Sequence, residues 1–252
     1  MIDSDRYPED GYLIGSANNL LVGSKHPPLM KLSKKFDFIR IENGKLIIGA
    51  ATPGGKIVSY CKKHNIANFE FLSHLPGTLG GMLKMNAGLK EYEIFNHLIA
   101  LRTKEGWLNR EKIPHGYRST GINNLIFEAT FNIEKGFDAS KIEIFRQMRS
   151  NQPKSPSAGS AFKNPPNDFA GRLIEAVGLK GYRIGDMAFS ELHANFLVNM
   201  GNGTFDEAIT LIELAQERVY QQTGVNLETE LIIVDQRYLN LIPQLYTHFR
   251  DN

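Results

Sequence analysis

Three stretches carry residues able to move a proton or hold a charge. NQPKSPSAGSAFKNPPND, residues 151–168, has four prolines and a serine, Ser160, pinned behind Gly159. Its composition suits either a disordered hinge or a loop whose prolines fix φ so as to hold Ser160 in one place. LETELIIV puts Glu228 and Glu230 two apart, on one face of a strand with Ile232 and Val234. A carboxylate on an apolar face has its pKa raised by desolvation unless it is paired. Solvated glutamates at a strand end explain the pattern equally well, and spacing does not choose between the two. HGYRST, residues 115–120, offers Arg118 on an irregular segment between strands. A guanidinium there can grip a carboxylate through two parallel hydrogen bonds, although an isolated arginine is more often a surface or packing residue.

Two glycine-rich turns could meet an anion. In LPGTLGGMLKMNAG, residues 75–88, Gly77, Gly80, Gly81 and Gly88 stand among Thr78 and Asn86. Backbone N–H groups can approach a phosphate closely there, and a helix starting at that point adds its positive end. The run is neither a P-loop nor a GxGxxG turn, and a tight helix-packing turn is the competing reading. IGSANNLLVG, residues 14–23, could touch a diphosphate or sugar through Gly15, Ser16, Asn18 and Asn19; an asparagine-rich turn without a ligand is the commoner case. The seven histidines are scattered, without HExxH or zinc spacing, so no metal site is expected. His193 stands just before a strand, where a structural hydrogen bond is commoner than a ligand contact. Cys61 has Lys62 and Lys63 beside it but no evident base or resolving thiol, which favours an inert thiol.

The elements that must position these residues alternate in groups, giving a mixed α and β class. FDFIRIENGKLIIGA reads as a hairpin about Asn43-Gly44. TPGGKIVSYCKKHN reads as an amphipathic helix with Ile57, Tyr60 and Cys61 on one stripe. NNLIFEATFNI is a strand. FDASKIEIFRQMRSN is a helix with Ser140 and Glu143 at capping-box spacing. After a break near residue 151 come a helix (DFAGRLIEAVG), a strand (NFLVNMG) and a long helix (TFDEAITLIELAQERVYQQTG). The buried strand LIIV follows, then a tail whose Tyr238, Leu241, Leu245 and Phe249 suit a packed helix. The 252 residues are 42% apolar and 22% charged, ordinary for a soluble protein, and a net charge of +2 gives no reason to invoke nucleic acid. One cysteine, a polar start without a secretory signal and no membrane-length apolar run point to the cytoplasm.

Taken in order, GSANNLLV, LPGTLGGMLKMNAG, GYRS, SAGSAFKNP, AGRLIEAVGLKG, HANFLVN and LETE resemble the UDP-N-acetylenolpyruvoylglucosamine reductase family of peptidoglycan synthesis, from about Gly11 to Val234. The resemblance implies an α+β fold: a two-piece FAD-binding module like that of vanillyl-alcohol oxidase, plus a smaller α+β substrate domain. The pieces fall at 1–49 and 50–151, the latter completed by 229–252, with the substrate domain at 152–228. It implies FAD as cofactor, NADPH as hydride donor and a UDP-sugar enolpyruvyl ether as substrate. It maps the proton donor onto Ser160, the catalytic arginine onto Arg118 and the catalytic glutamate onto Glu230 rather than Glu228. Cofactor contacts map onto Gly15, Ser16, Ala17, Asn18, Asn19, Pro76, Gly77, Thr78, Gly80, Gly81, Asn86, Ala87 and Gly88. Substrate contacts map onto Tyr117, Lys163, Asn164 and His193. The short segment between Arg118 and Ser160 fits the subclass without the inserted tyrosine loop. Three departures stand out. The first motif reads Gly15-Ser16-Ala17-Asn18-Asn19 where the family usually has Gly-Gly-Gly-Ser-Asn. Ala161 replaces a phenylalanine, which is expected to leave space in the pocket wall. Only fourteen residues precede Gly15, so part of the flavin module is expected to be absent and flavin binding weak. Two rivals are another flavin oxidoreductase on the same cofactor fold, which has no need of the Ser160 and Glu230 segments, and a non-catalytic relative that binds UDP-sugars.

Overall fold

The computed structural model describes residues 1–4 and 11–239. They fall into two units, Met1–Ser16 with Pro28–Ser150 and Ala17–Pro27 with Asn151–Asn252. The α+β class is as expected, and the break near residue 151 is accompanied by an earlier excursion, residues 17–27.

In the first unit β1 (Tyr12–Leu13) runs towards Gly15; β2 (Leu20–Val22) belongs to the second unit; β3 (Leu29–Met30) lies parallel to β1. β4 (Ile39–Glu42) and β5 (Lys45–Gly49) form the expected hairpin. Asn43 and Gly44 take φ of 50° and 70°, the left-handed pair that a two-residue turn requires. α1 (Gly54–Lys63) buries Ile57 and Cys61 as its periodicity predicts, with Tyr60 partly buried beside them. α2 (Leu79–Lys84) is only six residues long. Two small hairpins and a strand pair follow: β6 (Gly88–Leu89) with β7 (Tyr92–Glu93), β8 (Leu98–Thr103) with β9 (Gly106–Asn109), and β10 (His115–Gly116) with β11 (Ser119–Thr120).

β12 (Glu128–Asn132) completes a five-stranded antiparallel sheet in the order β4-β5-β12-β8-β9. Leu46 opposite Phe131, and Ile48 and Leu101 opposite Ala129, put one face of the sheet into the core under α1 and α2. The predicted NNLIFEATFNI strand is thus shorter than its apolar run. Ile122 and Ile126 feed the main core while Leu125 and Phe127 feed a smaller cluster with Ile2 and Phe36, and Phe127 carries the bonding of β12 one residue back, donating to the Arg102 carbonyl and accepting from Ala50 N–H, both at 2.8 Å. α3 (Ala139–Met148) is capped by Asp138, two residues before the Ser140 of the capping-box reading. Asp138 accepts from the Ser140 N–H at 2.9 Å, and Glu143 is taken instead by Arg146 at 2.7 Å.

The second unit holds β13 (Ser157–Ser160), α4 (Ala170–Ala176), β14 (Arg183–Ile184), β15 (Met187–Phe189) and β16 (Phe196–Asn199), an antiparallel sheet ordered β13-β16-β15-β14. α5 (Phe205–Thr223) opens with a true capping box: Thr204 Oγ1 accepts from Glu207 N–H at 3.2 Å, and Glu207 accepts from Thr204 N–H at 2.9 Å. Its apolar stripe, Ala208, Leu211, Ile212, Ala215 and Val219, buries against Leu173 and Ile174 of α4 and Phe189 and Leu197 of the sheet. β17 (Ile232–Val234) pairs in parallel with β2, Leu20 opposite Ile232. Asp235, wholly buried, ties this pair together by accepting from Lys25 N–H at 3.2 Å and from the Arg237 guanidinium at 2.9 Å. α6 (Gln236–Leu239) covers the start of the expected tail helix; Leu241, Leu245 and Phe249 lie outside the described residues. Among the described residues no helix is long and apolar enough to cross a membrane.

Candidate active site

The proline-rich stretch is partly strand. Ser160 closes β13 opposite Phe196, after an irregularity in register at which Gly159 takes φ 82°. Pro156 stands at the very start of the ladder: with no N–H to give, it offers only its carbonyl, to Asn199 N–H of β16 at 2.8 Å. Beyond Ser160 the chain is gripped on two sides. On one side Ala161 N–H donates to the Asn195 carbonyl at 2.7 Å. The Asn195 side chain then accepts from Phe162 N–H at 3.0 Å and donates to the Phe162 carbonyl at 2.8 Å. The amide thus acts as one more strand residue. On the other side Glu230 N–H donates to the Ala161 carbonyl and Lys163 N–H to the Glu228 carbonyl, both at 2.9 Å, with Phe162 opposite Thr229.

This register separates the two glutamates. Lys163 and Glu228 stand opposite each other and pair at 2.5 Å, with the Glu228 side chain 73% exposed. Glu230, opposite Ala161, is half-buried and has its peptide held twice, by Ala161 through its N–H and by Asn19 Nδ2, which donates to its carbonyl at 3.0 Å. The regular strand begins only at Ile232, so the predicted single strand face from Glu228 to Val234 is broken. Ala161 is fully buried in the core of the unit, and the small residue therefore opens no pocket wall. Asn164 Oδ1 accepts from Ala170 N–H at 3.1 Å, capping the first turn of α4. His193 makes the structural bond, its Nδ1 accepting from Asn195 N–H at 3.3 Å, and burial, then the charge of Lys180, lowers its pKa. Its ring leaves 3.3 Å for a side chain at Gly171.

The first glycine motif is divided between the units: Gly15 and Ser16 belong to the first, Ala17, Asn18 and Asn19 to the second. In the second unit Asn19 also accepts from Ile232 N–H at 2.9 Å, and the Asn18 carbonyl lies 3.8 Å from where a Gly159 side chain would start. In the first unit a Cβ on Gly15 would stand 3.0 Å from Thr78 Oγ1 and 4.0 Å from Gly81 Cα, while one on Gly81 would meet nothing. Gly15 thus lies close against Thr78, while Gly81 faces open space, where its backbone can be approached. The remaining glycines divide differently. Gly80 N–H is spent on the Ala50 carbonyl at 2.8 Å, and a Cβ there would press on Ala50 at 3.2 Å, so the packing reading holds at that position. A Cβ on Gly88 would sit 2.3 Å from the Tyr92 carbonyl inside the β6–β7 hairpin. After Pro76, Gly77 accepts from Gly54 N–H at 3.1 Å, and Ala87 is tied to Met82 and Ile94 through its backbone.

Arg118 sits with Tyr117 at the tip of the β10–β11 hairpin, a more regular setting than the irregular segment expected. Its φ of 51° is left-handed, which a non-glycine residue adopts only where its surroundings enforce it. Its Nη2 donates to the Gly88 carbonyl at 2.8 Å and its guanidinium lies 5.2 Å from the Tyr117 ring centre. Asn86 is buried and reaches the same hairpin, donating to Gly116 at 3.2 Å and to Glu93 at 2.8 Å. Three residues passed over in the sequence matter here: Asn195, Lys84, whose ammonium donates to the Ile122 and Asn123 carbonyls, and Arg149, whose pKa is lowered by burial and then by the charge of Arg118. The first two lie inside quoted motifs, but their partners are far along the chain. Cys61 is inert, its thiol pushed up to about 12 by burial and by Glu70. Among the described residues no cluster of three or more metal-ligating side chains occurs.

Residues 152–234 match the family model for the UDP-N-acetylenolpyruvoylglucosamine reductase C-terminal domain. The chain is 50% identical over 222 residues to the UDP-N-acetylenolpyruvoylglucosamine reductase of Helicobacter hepaticus, covering 88% of this chain and 84% of the relative. It is 50% identical over 230 residues to that of Campylobacter jejuni strain RM1221, covering 89% of each. The crystal structure of the reductase from Thermus caldophilus matches with a TM-score of 0.79 at 28% identity, covering 89% of this chain and 85% of that one. At these identities and coverages the chain is an oxidoreductase and belongs to the UDP-N-acetylenolpyruvoylglucosamine reductase family.

Proposed function

We propose that the protein uses FAD and NADPH to reduce the enolpyruvyl ether of UDP-N-acetylglucosamine to UDP-N-acetylmuramate, in the cytoplasm, for peptidoglycan synthesis. The observation that supports it most is the backbone pairing of Ala161 with Glu230, which fixes the proton-donor serine and the glutamate on adjoining segments. FAD, when bound, would carry hydride from NADPH to the substrate. Gly15, Ser16, Thr78 and Gly81 would hold its diphosphate; the close approach of Gly15 to Thr78 and the open space at Gly81 support this. In functional terms 1–49 and 50–151, with 229–252, serve the cofactor, and 152–228 serve the substrate.

The chain's own residues do the remaining work. Hydride addition at one carbon of the enolpyruvyl group leaves enolate-like charge beside the carboxylate. Arg118 and Glu230 would stabilise that charge where it develops. Ser160 would deliver the proton to the adjacent carbon. Tyr117, Lys163, Asn164 and His193 would orient the UDP-sugar; of these, Lys163 must exchange its Glu228 partner or share it. The test is NADPH oxidation with FAD supplied, with and without the enolpyruvyl substrate. Oxidation that requires the substrate, and yields the lactyl ether, is expected. Oxidation indifferent to the substrate would remove this reading.

A further inference from the structure

Between the glycine-rich turn and the Arg118 hairpin lies a set of bonds centred on a lysine. Lys84 Nζ donates to the Ile122 carbonyl at 2.7 Å and to the Asn123 carbonyl at 2.9 Å. Thr120 Oγ1 returns a bond to the Lys84 carbonyl at 2.8 Å. Asn86 holds Gly116 at 3.2 Å, and Arg118 itself holds Gly88 at 2.8 Å. Residues 84–88 therefore grip the segment 116–123 at its start, its tip and its end. We propose that Lys84 is a positioning residue for the Arg118 guanidinium, fastening the end of the β10–β11 hairpin to the turn that follows α2.

The choice of lysine supports this. Among the described residues both hydrogen-bond partners of its ammonium are backbone carbonyls, and burial pulls its pKa down to about 8. A desolvated charge with no carboxylate beside it costs stability, and an apolar side chain would fill the space more cheaply. What an apolar side chain cannot do is hold two carbonyls of one loop at a fixed distance from α2. The left-handed backbone at Arg118 makes that hold necessary, because a strained tip relaxes once its flanks are released. Released at Ile122 and Asn123, the hairpin would keep its own two-strand pairing but lose its aim. A misplacement on the order of 1 Å at a charge-holding group can lower turnover roughly 100-fold.

The inference rests on the reading that Arg118 faces the substrate's anionic group, and the experiment separates the two. In Lys84→Met, reduction by NADPH in the FAD-loaded protein should keep its rate, while the step that consumes the enolpyruvyl substrate should slow about 10- to 100-fold. Amide hydrogen exchange of the same variant without FAD should quicken within residues 115–123 and not elsewhere in the first unit. Losses of equal size in both half-reactions, or exchange that quickens throughout, would mean a merely structural lysine and overturn the proposal. If Arg118→Met abolishes the substrate step and Lys84→Met leaves it intact, the reading of Arg118 stands and Lys84 alone fails. If Arg118→Met leaves the substrate step intact, both fail. Should Lys84→Met not fold, Thr120→Val, which removes the hairpin's return bond, must show the same split to a smaller degree; without it the proposal is overturned.

Discussion

Asn195→Ala is the sharpest test of how Ser160 is held. The Asn195 side chain is buried, 3% exposed, and makes two hydrogen bonds to one residue, the fully buried Phe162. Phe162 stands at a position of its ladder where Glu230 and Lys163 bond around it, so its own N–H and C=O face only Asn195. Each neutral bond contributes about 1 kcal/mol net, and each buried group left without a partner costs about 1–3 kcal/mol. Partial rescue by water entering the vacated space brings the expected loss to about 3 kcal/mol. For a chain of this size that corresponds to a fall in Tm of roughly 6–12 °C. Urea denaturation of Asn195→Ala and Asn195→Asp beside the unaltered protein measures it. Aspartate keeps an acceptor for the Phe162 N–H but turns an oxygen towards its carbonyl, so it should rescue little. The substrate half-reaction, which depends on the placement of Ser160 two residues earlier, should fall more than the NADPH half-reaction in both variants. A loss under about 1 kcal/mol, or an aspartate as good as asparagine, would refute the view that this amide serves as a strand residue.

Ser160→Ala should leave reduction by NADPH unchanged in stopped-flow mixing and slow the substrate step by roughly 100- to 10000-fold; an unchanged substrate step would take Ser160 out of the mechanism. Glu230→Gln should depress turnover far more than Glu228→Gln, since Glu228 is exposed and paired with Lys163; steady-state rates that fall equally would show the wrong carboxylate was chosen. The Asp235 carboxyl, held down to about 2 chiefly by its hydrogen bond from Arg237, binds its proton more weakly folded than unfolded. Its stabilisation is therefore present above about pH 4 and is lost as pH falls towards 2. Urea midpoints between pH 5 and pH 2 should drop less steeply in Asp235→Asn, and parallel curves would contradict this.

What was legible in the sequence was mostly local. The Asn43-Gly44 turn, the α1 stripe and the α5 cap each lie within a few residues of their cause. The order of the family motifs is read along most of the chain, and the assignment of Ser160, Arg118 and Glu230 rests on it. What was hidden depended on distant partners. The Ser140–Glu143 spacing is a valid capping box, but Asp138 is also a good cap and Arg146 competes for Glu143. Asn195 looks like any polar residue ahead of a strand until Phe162 stands beside it. The division of the first glycine motif between two units has no signature in its letters. Prolines made residues 151–168 read as loop, although an edge strand tolerates proline up to its first residues.

The bond from Asn19 to Glu230 joins residues 211 positions apart, and it bears on how the enzyme is made. Among the described residues β2 has one strand partner, β17. As the chain leaves the ribosome, residues up to Ser150 can close the first unit, while β2 waits unpaired through most of translation. The entropy of closing so long a loop grows only slowly with its length, so the wait costs little stability. It does set an order of events. Ser160 is synthesised and threaded onto β16 before the segment that grips its other side exists. Not until residues 228–234 emerge can Glu230 be seated against Ala161 and Asn19. Ser160 and Glu230, the acid and the glutamate of the proposed reaction, thus come to lie on adjoining segments only after residues 228–234 have been made.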